Sequence, residues 1–390
     1  MLSASPGLRV TGVVDAGKRG DAVRVTARLC REGGECVAQS SAIVGVPGRG
    51  RYPFDLTLEG MGSVPLWRLD EPVLHEVGVD LAVGGRVLHT EQVRVGFREA
   101  RFERDGFFLN GERVALFGLN RHHWFPYAGA AMPDRAHRRD AEILKHELNC
   151  TIVRCSHYPQ STAFLDACDE LGLLGWEEAP GWNYIGGPLW RGRLLRDVEA
   201  MVRRDRNHPC IVVWGTRLNE TSNDVGLYAR TRAVASRLDG TRATTGAVSG
   251  WFPTQSQRLS TRYRDSFVTS PLVQDVFAYN DYLTPPPGQL PALSEPRTDL
   301  PYLVSEAVGA LVGPPTFRRT DPDSIQRKQA LLHAAVHNTA ASDPRYCGLI
   351  GWCAFDYPSG YGAAVDGLKW PGVADVFRVP SSVPGSTNPK

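Results

Sequence analysis

Two glutamates occupy positions from which carboxylates can do acid, base and nucleophilic work. Glu220 closes the run CIVVWGTRLNE (210–220), and Glu306 ends the apolar part of PYLVSEAVG (301–309). A strand buried on both faces reads as an unbroken apolar run, and groups at the ends of such strands line the mouth of a parallel barrel. Cleaving a glycosidic bond needs one carboxyl to protonate the departing oxygen and a second to attack the anomeric carbon or to activate water. Glu220 and Glu306 are the best pair for this. A single glutamate is usually a solvated surface group, but that reading does not explain two at the ends of apolar runs.

Other residues cluster around the pair by position. Asn219 precedes Glu220, and an amide there suits a sugar hydroxyl. Tyr279, in FAYN, is placed to donate its phenol to Glu306 and hold it ionised; packing in the core is an equally good role for it. Arg154, near the end of CTIVRCS (150–156), is a buried guanidinium that needs a carboxylate, most economically Glu306. His122, His123 and His157 follow strand ends and suit hydroxyl binding, although a lone histidine is more often hydrogen-bonded scaffold. Sugars stack their C–H faces on aromatic rings, so Trp352 in GLIGWCAFDY and Trp182 in EEAPGWN are candidate platforms, Trp352 the better of the two.

These residues need a scaffold, and the chain shows two regimes. From Leu8 to about Phe97 the pattern has period two: Val23, Val25, Ala27 and Leu29 alternate with Arg24, Thr26 and Arg28. Gly33-Gly34 and Gly84-Gly85 read as hairpin turns, and roughly six or seven strands predict an immunoglobulin-like antiparallel β-sandwich. After about Arg98, eight apolar runs (114–120, 150–156, 171–177, 210–216, 242–248, 275–280, 301–306 and 348–355) alternate with helical patterns such as 192–204 and 322–340. This predicts a (β/α)8 TIM barrel. A doubly wound sheet would carry a Gly-rich phosphate loop after its first strand, where Asn120-Arg121-His122-His123 stands instead. The expected division is a sandwich over 1–97, a catalytic barrel over 98–378 and a loose Pro/Ser-rich tail over 379–390.

Composition narrows the partners. Lys plus Arg (44) against Asp plus Glu (42) leaves +2 over 390 residues, which gives no basic field for nucleic acid or an anionic membrane. No stretch of about 18 apolar residues predicts a membrane span, and MLSASPGLRV has neither a basic leader nor an apolar core. The expectation is a cytoplasmic protein, with secretion of a longer native form left open. Of eight cysteines, Cys150, Cys155, Cys210, Cys347 and Cys353 lie in apolar runs as small hydrophobes. Cys30 and Cys36 are also expected to be free, because a two-residue loop at Gly33-Gly34 pairs Cys30 with Val37. No Cys/His spacing predicts a metal, no cofactor is expected, and no GxSxG elbow supports an acyl hydrolase.

RDRNHPCIVVWGTRLNE (204–220) resembles the acid/base motif of glycoside hydrolase family 2, where an Asn-Glu pair ends the fourth barrel strand. FFLNGERVALFGLNRHH (107–123) is similar to that family's entry into the barrel, VRCSHYPQSTAFLDACDELGLLGWEE (153–178) to its second and third βα units, and SEAVG (305–309) to its nucleophile region. The resemblance runs from about residue 65 to the end. It implies Glu220 as general acid/base, Glu306 as nucleophile of a retaining double displacement, and Asn219 as ligand of the hydroxyl beside the anomeric carbon. GWCAFDYPSGYG and GLKWPGVADVFRVP resemble the barrel end of a subset of the family's β-galactosidases.

The expected activity is therefore that of a retaining exo-β-glycosidase on a carbohydrate substrate, with β-galactoside favoured and β-glucuronide, β-mannoside or β-glucosaminide as sister readings. A catalytically silent carbohydrate-binding or scaffold protein is the alternative of another class, and a homo-oligomer is left open. Family members normally begin with a jelly-roll domain whose loops shape the pocket, whereas this chain starts in the sandwich. The magnesium-dependent members carry a histidine two residues after a glutamate near the third strand. Here Ala179 and Pro180 follow Glu178, so no catalytic metal is expected.

Overall fold

Alternating and continuous apolar patterns sort the chain into two kinds of sheet. The computed structural model describes residues 7–18, 20, 22–249, 272–282, 289–296, 299–309, 316–360, 364 and 366–381. It divides into two compact units, Met1–Glu99 with Asn207–Pro209, and Ala100–Arg206 with Cys210–Lys390.

In the first unit, β1 (Leu8–Ala16) pairs antiparallel with β4 (Gly50–Leu58). β2 (Val23–Arg31), β3 (Cys36–Val44), β5 (His75–Val83) and β6 (Arg86–Val95) form a four-stranded sheet in the order β3-β2-β5-β6. The inward residues of the alternating pattern, Val25, Ala27 and Leu29, pack with Val14, Leu56, Leu58 and Val77 in one core between the sheets. The Gly84-Gly85 hairpin forms as expected, joining Val83 to Arg86. The other hairpin does not. Arg31 N–H donates to the Glu35 carbonyl at 2.8 Å, which makes the loop three residues long and sets Cys30 opposite Cys36; a bulge at Val37 then restores the register. Cys30 and Cys36 form a disulfide, so the expectation of free thiols is corrected: it assumed a loop one residue too short.

The second unit opens with a small sheet of β7 (Ala100–Glu103), β8 (Gly106–Leu109) and β9 (Glu112–Val114). The barrel staves follow as β10 (Leu116–Arg121), β11 (Ile152–Cys155), β12 (Leu174–Glu178), β13 (Ile211–Gly215), β14 (Ala243–Thr245), β15 (Ala247–Ser249), β16 (Phe277–Asn280), β17 (Tyr302–Glu306) and β18 (Tyr346–Gly351). All are parallel, in the order β14-β13-β12-β11-β10-β18-β17-β16-β15. Nearly every residue in them is buried, which is why their sequences run apolar without alternation.

Nine strands arise from eight staves because the fifth is broken. β14 ladders with β13, and β15 with β16. Between them stands Gly246, where a Cβ would lie 2.3 Å from Arg217 Cβ and 2.5 Å from the Arg217 carbonyl oxygen. Only a residue without a side chain fits where the chain leaving β13 crosses over it.

The helices include α1 (Asp134–Glu142), α2 (Thr162–Leu171), α3 (Pro188–Asp205), α4 (Val225–Leu238) and α5 (Asp323–Ser342). Asp224 caps α4 by accepting from Leu227 N–H at 2.9 Å, which ties down the segment just after Glu220. Of the expected loose tail, Val379 donates to Asp375 Oδ1 at 3.0 Å and Ser381 to the Val373 carbonyl at 3.0 Å, so residues 379–381 are tethered; 382–390 lie outside the described residues.

At the end of β12, Glu177 is fully buried and accepts from Gln160 N–H at 2.7 Å. Burial, reinforced by Asp205, pushes its carboxyl up to about 8, against the pull of Cys155, Gln160 and Arg204. The folded chain therefore holds a proton that the unfolded chain releases near the ordinary carboxylate value, and stability falls as pH rises through the interval between them. Wild-type stability is expected to drop by about 2 kcal/mol between about pH 6 and pH 8 on this account. Denaturant titrations at both values should show the Glu177→Gln variant, which mimics the protonated acid, losing much less.

Candidate active site

The C-terminal ends of the staves deliver polar side chains into one small volume. Arg154, the third residue of β11, is fully buried, with its guanidinium 4.6 Å from the Trp176 ring centroid. Its Nε donates to Glu178 Oε1 at 2.9 Å, Nη1 to Glu306 Oε1 at 2.7 Å and to Asn120 Oδ1 at 3.0 Å, and Nη2 to Asn219 Oδ1 at 2.9 Å. One planar fork thus fixes side chains from β10, β12, β17 and the segment after β13. The sequence-based pairing of Arg154 with Glu306 is present, and Glu178 is a second partner that it did not include.

Glu306 is the last residue of β17 and is buried. Its second oxygen accepts from the Tyr282 hydroxyl at 2.8 Å. Burial and the adjoining Glu306 carboxylate push the Tyr282 phenol well up, so it stays protonated and donates. Burial raises the Glu306 carboxyl, Arg154 and His157 pull it down, Glu220 pushes it up, and the balance lies above the ordinary value.

Glu220 stands five residues beyond the end of β13, in left-handed backbone conformation (φ 53°). Its backbone N–H donates to Ala247 O at 3.2 Å. Its Oε1 accepts from Asn280 Nδ2 at 3.1 Å, and its Oε2 from Trp182 Nε1 at 2.9 Å. Asn280 Nδ2 also donates to Asn219 Oδ1 at 3.1 Å, while its own Oδ1 accepts from the Ser305 hydroxyl at 2.8 Å. The Asn219 oxygen is thereby committed to Arg154 and Asn280, which fixes the amide with Nδ2 turned toward His157 Nε2 at 3.3 Å.

His157 Nδ1 contacts Glu178 Oε2 at 3.0 Å, so both Glu178 oxygens have partners. Burial raises the Glu178 carboxyl, but Arg154 and His157 outweigh it and hold the group below its ordinary value. The His157 ring stacks on Trp352 at 5.5 Å with the planes 9° apart. His122 completes this wall, edge-on to Trp352 at 5.4 Å and bonded through Nδ1 to the Tyr158 hydroxyl at 3.1 Å. Burial, helped by nearby His157 and Arg154, keeps His122 neutral. His123 is elsewhere, edge-on to His137 at 4.2 Å.

The structure thus gathers Glu220, Glu306, Asn219, Arg154, His157, His122, Trp352 and Trp182. It corrects the placement of Tyr279. On β16 the side chain of Asn280 points inward to Asn219 and Glu220, and strand alternation turns Tyr279 the other way. Tyr279 stacks on Phe277 at 6.0 Å, in a cluster with Leu332 and Val336 of α5. The phenol that reaches Glu306 belongs to Tyr282, beyond the strand. Asn280 and Tyr282 were both missed by sequence reasoning; period two along FAYN was the signal that could have found Asn280.

A parallel barrel with two glutamates near its strand ends, Glu306 gripped by arginine and tyrosine and Glu220 close enough to raise its carboxyl, defines a barrel of the glycoside hydrolase class. The family model for the TIM barrel domain of glycosyl hydrolases family 2 matches residues 101–306. A β-galactosidase of Thermoanaerobacterium thermosulfurigenes is 38% identical over 333 residues, covering 84% of this chain and 43% of that protein. One of Rhizobium meliloti is 31% identical over 381 residues, covering 91% and 44%. Among solved structures, Bacteroides uniformis β-glucuronidase 2 with a covalently bound cyclophellitol-6-carboxylate aziridine matches with a TM-score of 0.80 at 24% identity, covering 97% of this chain and 48% of that one. At that identity the likeness shows the fold. The chain belongs to glycoside hydrolase family 2, and it spans less than half the length of these β-galactosidase relatives. Among the described residues, no helix is long and apolar enough to cross a membrane.

Proposed function

We propose that this chain carries the active site of a retaining exo-β-glycosidase acting on terminal β-galactosides. The observation that supports this most directly is the unequal fixing of two neighbouring carboxylates. Glu306 is immobilised by Arg154 and Tyr282 in the manner of an attacking group, while the Glu220 carboxylate accepts from the neutral donors of Asn280 and Trp182. In the first step a Glu306 oxygen bonds to the anomeric carbon as the bond to the leaving oxygen breaks and Glu220 gives that oxygen its proton. In the second, water loses a proton to Glu220, its oxygen attacks the same carbon, and Glu306 is released. Asn219 Nδ2, 3.3 Å from His157 Nε2, has a second hydrogen with which to serve the hydroxyl beside the anomeric carbon, and Trp352 offers an apolar wall.

Galactose as the sugar rests on the β-galactosidases at 38% and 31% identity. Two experiments test the reading. A panel of chromogenic β-glycosides should show turnover of the galactoside above the glucuronide, mannoside and glucosaminide. Trapping with a 2-fluoro-galactoside should label Glu306; a label on any other residue removes the assignment. No catalytic metal is proposed, because both Glu178 oxygens are engaged, so activity should survive a chelator.

Since Glu306 must be ionised to attack, kcat/KM should fall as pH drops through a value above the usual carboxylate range. Tyr282→Phe removes a donor to the ionised form, which raises the Glu306 pKa further. The acid limb of the pH–rate profile should move to higher pH and kcat should fall by about 10- to 100-fold. A limb that stays in place would mean that Tyr282 does not act through Glu306.

A further inference from the structure

The segment from Gly181 to Trp190 has more exposed apolar surface than its rigidity would lead one to expect. Trp182 is 38% exposed, Tyr184 63% and Leu189 70%, and the Tyr184 and Trp190 rings meet edge-on at 5.7 Å. The backbone beneath them is firmly held. Trp182 bridges in parallel to Asn219, Asn183 N–H donates to the Asn219 carbonyl at 3.0 Å, and Arg191 Nε donates to the Gly186 carbonyl at 3.0 Å. Arg191 also pairs with Asp224, the α4 cap, at 2.6 Å. Trp190 lies over Gly186 so closely that a Cβ there would fall 2.6 Å from its Cγ. Rings that could collapse into the core are instead presented on a fixed ledge.

The ledge starts at the proposed acid. Trp182 Nε1 bonds Glu220 Oε2, and the acid must stand on the side from which the leaving group departs. Tyr184 stands two residues beyond Trp182 in the chain and its ring meets that of Trp190, with Leu189 next to it in sequence; these residues make up the strip. From this position we infer that the strip is the leaving-group subsite, binding the flat apolar face of the aglycone, whether an aryl ring or a pyranose. This rests on the reading of Glu220 as the acid. An aromatic face contributes a modest term beyond buried area and no hydrogen-bond selection, so the subsite favours ring-shaped aglycones broadly over small or absent ones. After the first step the same ledge holds an acceptor. The acceptor's oxygen bonds to the anomeric carbon, its proton passes to Glu220, and the bond to Glu306 breaks.

The test compares three substrates with one sugar in common: 4-nitrophenyl β-galactoside, lactose and β-galactosyl fluoride, which has no aglycone ring. For Tyr184→Ala, kcat/KM should fall about fivefold on one or both ring-bearing substrates relative to the fluoride; Tyr184→Phe should restore it. Loss on the aryl substrate alone identifies an aryl subsite, and loss on lactose alone a sugar subsite. The share of galactosyl-enzyme transferred to added glucose or benzyl alcohol should fall in parallel. Leu189→Ala, which leaves the Trp190–Gly186 packing alone, gives a second measurement should Tyr184→Ala fold poorly. Equal losses on all three substrates with unchanged transfer would overturn the subsite. If wild type turns over no galactoside, the sugar assignment fails instead, and the same ratio is read on the glycoside and glycosyl fluoride of whichever sugar the panel shows it to accept.

Discussion

With Glu306 replaced by alanine, hydrolysis of 4-nitrophenyl β-galactoside is expected to fall by about 10⁴- to 10⁶-fold, because the group proposed to form the covalent intermediate is gone while the rest of the site stays. The fold should survive: Arg154 keeps Glu178, Asn120 and Asn219, so its charge remains compensated. The vacated space admits a small anion, and added azide should restore turnover by attacking the anomeric carbon once. One displacement inverts, so the product is the α-galactosyl azide, readable by NMR from its anomeric coupling. A β-azide from this variant would place the nucleophile elsewhere.

The Glu220→Gln variant should fail differently. The glutamine keeps the size of the side chain and can still accept from Trp182 or Asn280, but it cannot donate a proton to the leaving oxygen. Loss of general acid assistance removes about 10²- to 10⁴-fold for a poor leaving group such as the glucose of lactose. An activated aryl leaving group needs little protonation, so its first step should be nearly spared and the second step should become limiting. Azide, which needs no base, should then accelerate turnover and yield the β-galactosyl azide, since two displacements retain configuration. Equal losses on lactose and on the dinitrophenyl galactoside would remove Glu220 from the acid role.

Much of this site was legible because two physical signals coincide in its residues. Strands buried on both faces write themselves as apolar runs, so the staves and their polar ends stood out, and a buried arginine at a strand end demanded a carboxylate, which placed Arg154 beside Glu306. The failures share a cause as well. For Tyr279 the sequence leaves a phenol donated to Glu306 and packing in the core equally open, because only the inward or outward phase of a four-residue strand separates Tyr279 from Asn280, and Tyr282 lies beyond that strand. The Cys30–Cys36 disulfide was lost to a single residue of loop length, which periodicity does not resolve. Glu178 went unassigned as a ligand of Arg154 because nothing local says that one guanidinium grips two carboxylates. The break at Gly246 was unreadable since RATTGAV is a plausible unbroken strand; the obstruction comes from Arg217, far off in sequence.

The broken fifth stave also bears on how Glu220 is supported. β14 ladders with β13 and β15 with β16, so the enclosure is a rolled ribbon whose two borders are joined along the chain through one glycine, and the segment leaving β13 spans that seam, because Glu220 N–H donates to the Ala247 carbonyl of β15. The carboxyl of Glu220 is thereby anchored on the border that also carries Asn280. A side chain at position 246 would push on Arg217, three residues before Glu220, and so disturb the backbone beneath that carboxyl with every other side chain around it unchanged.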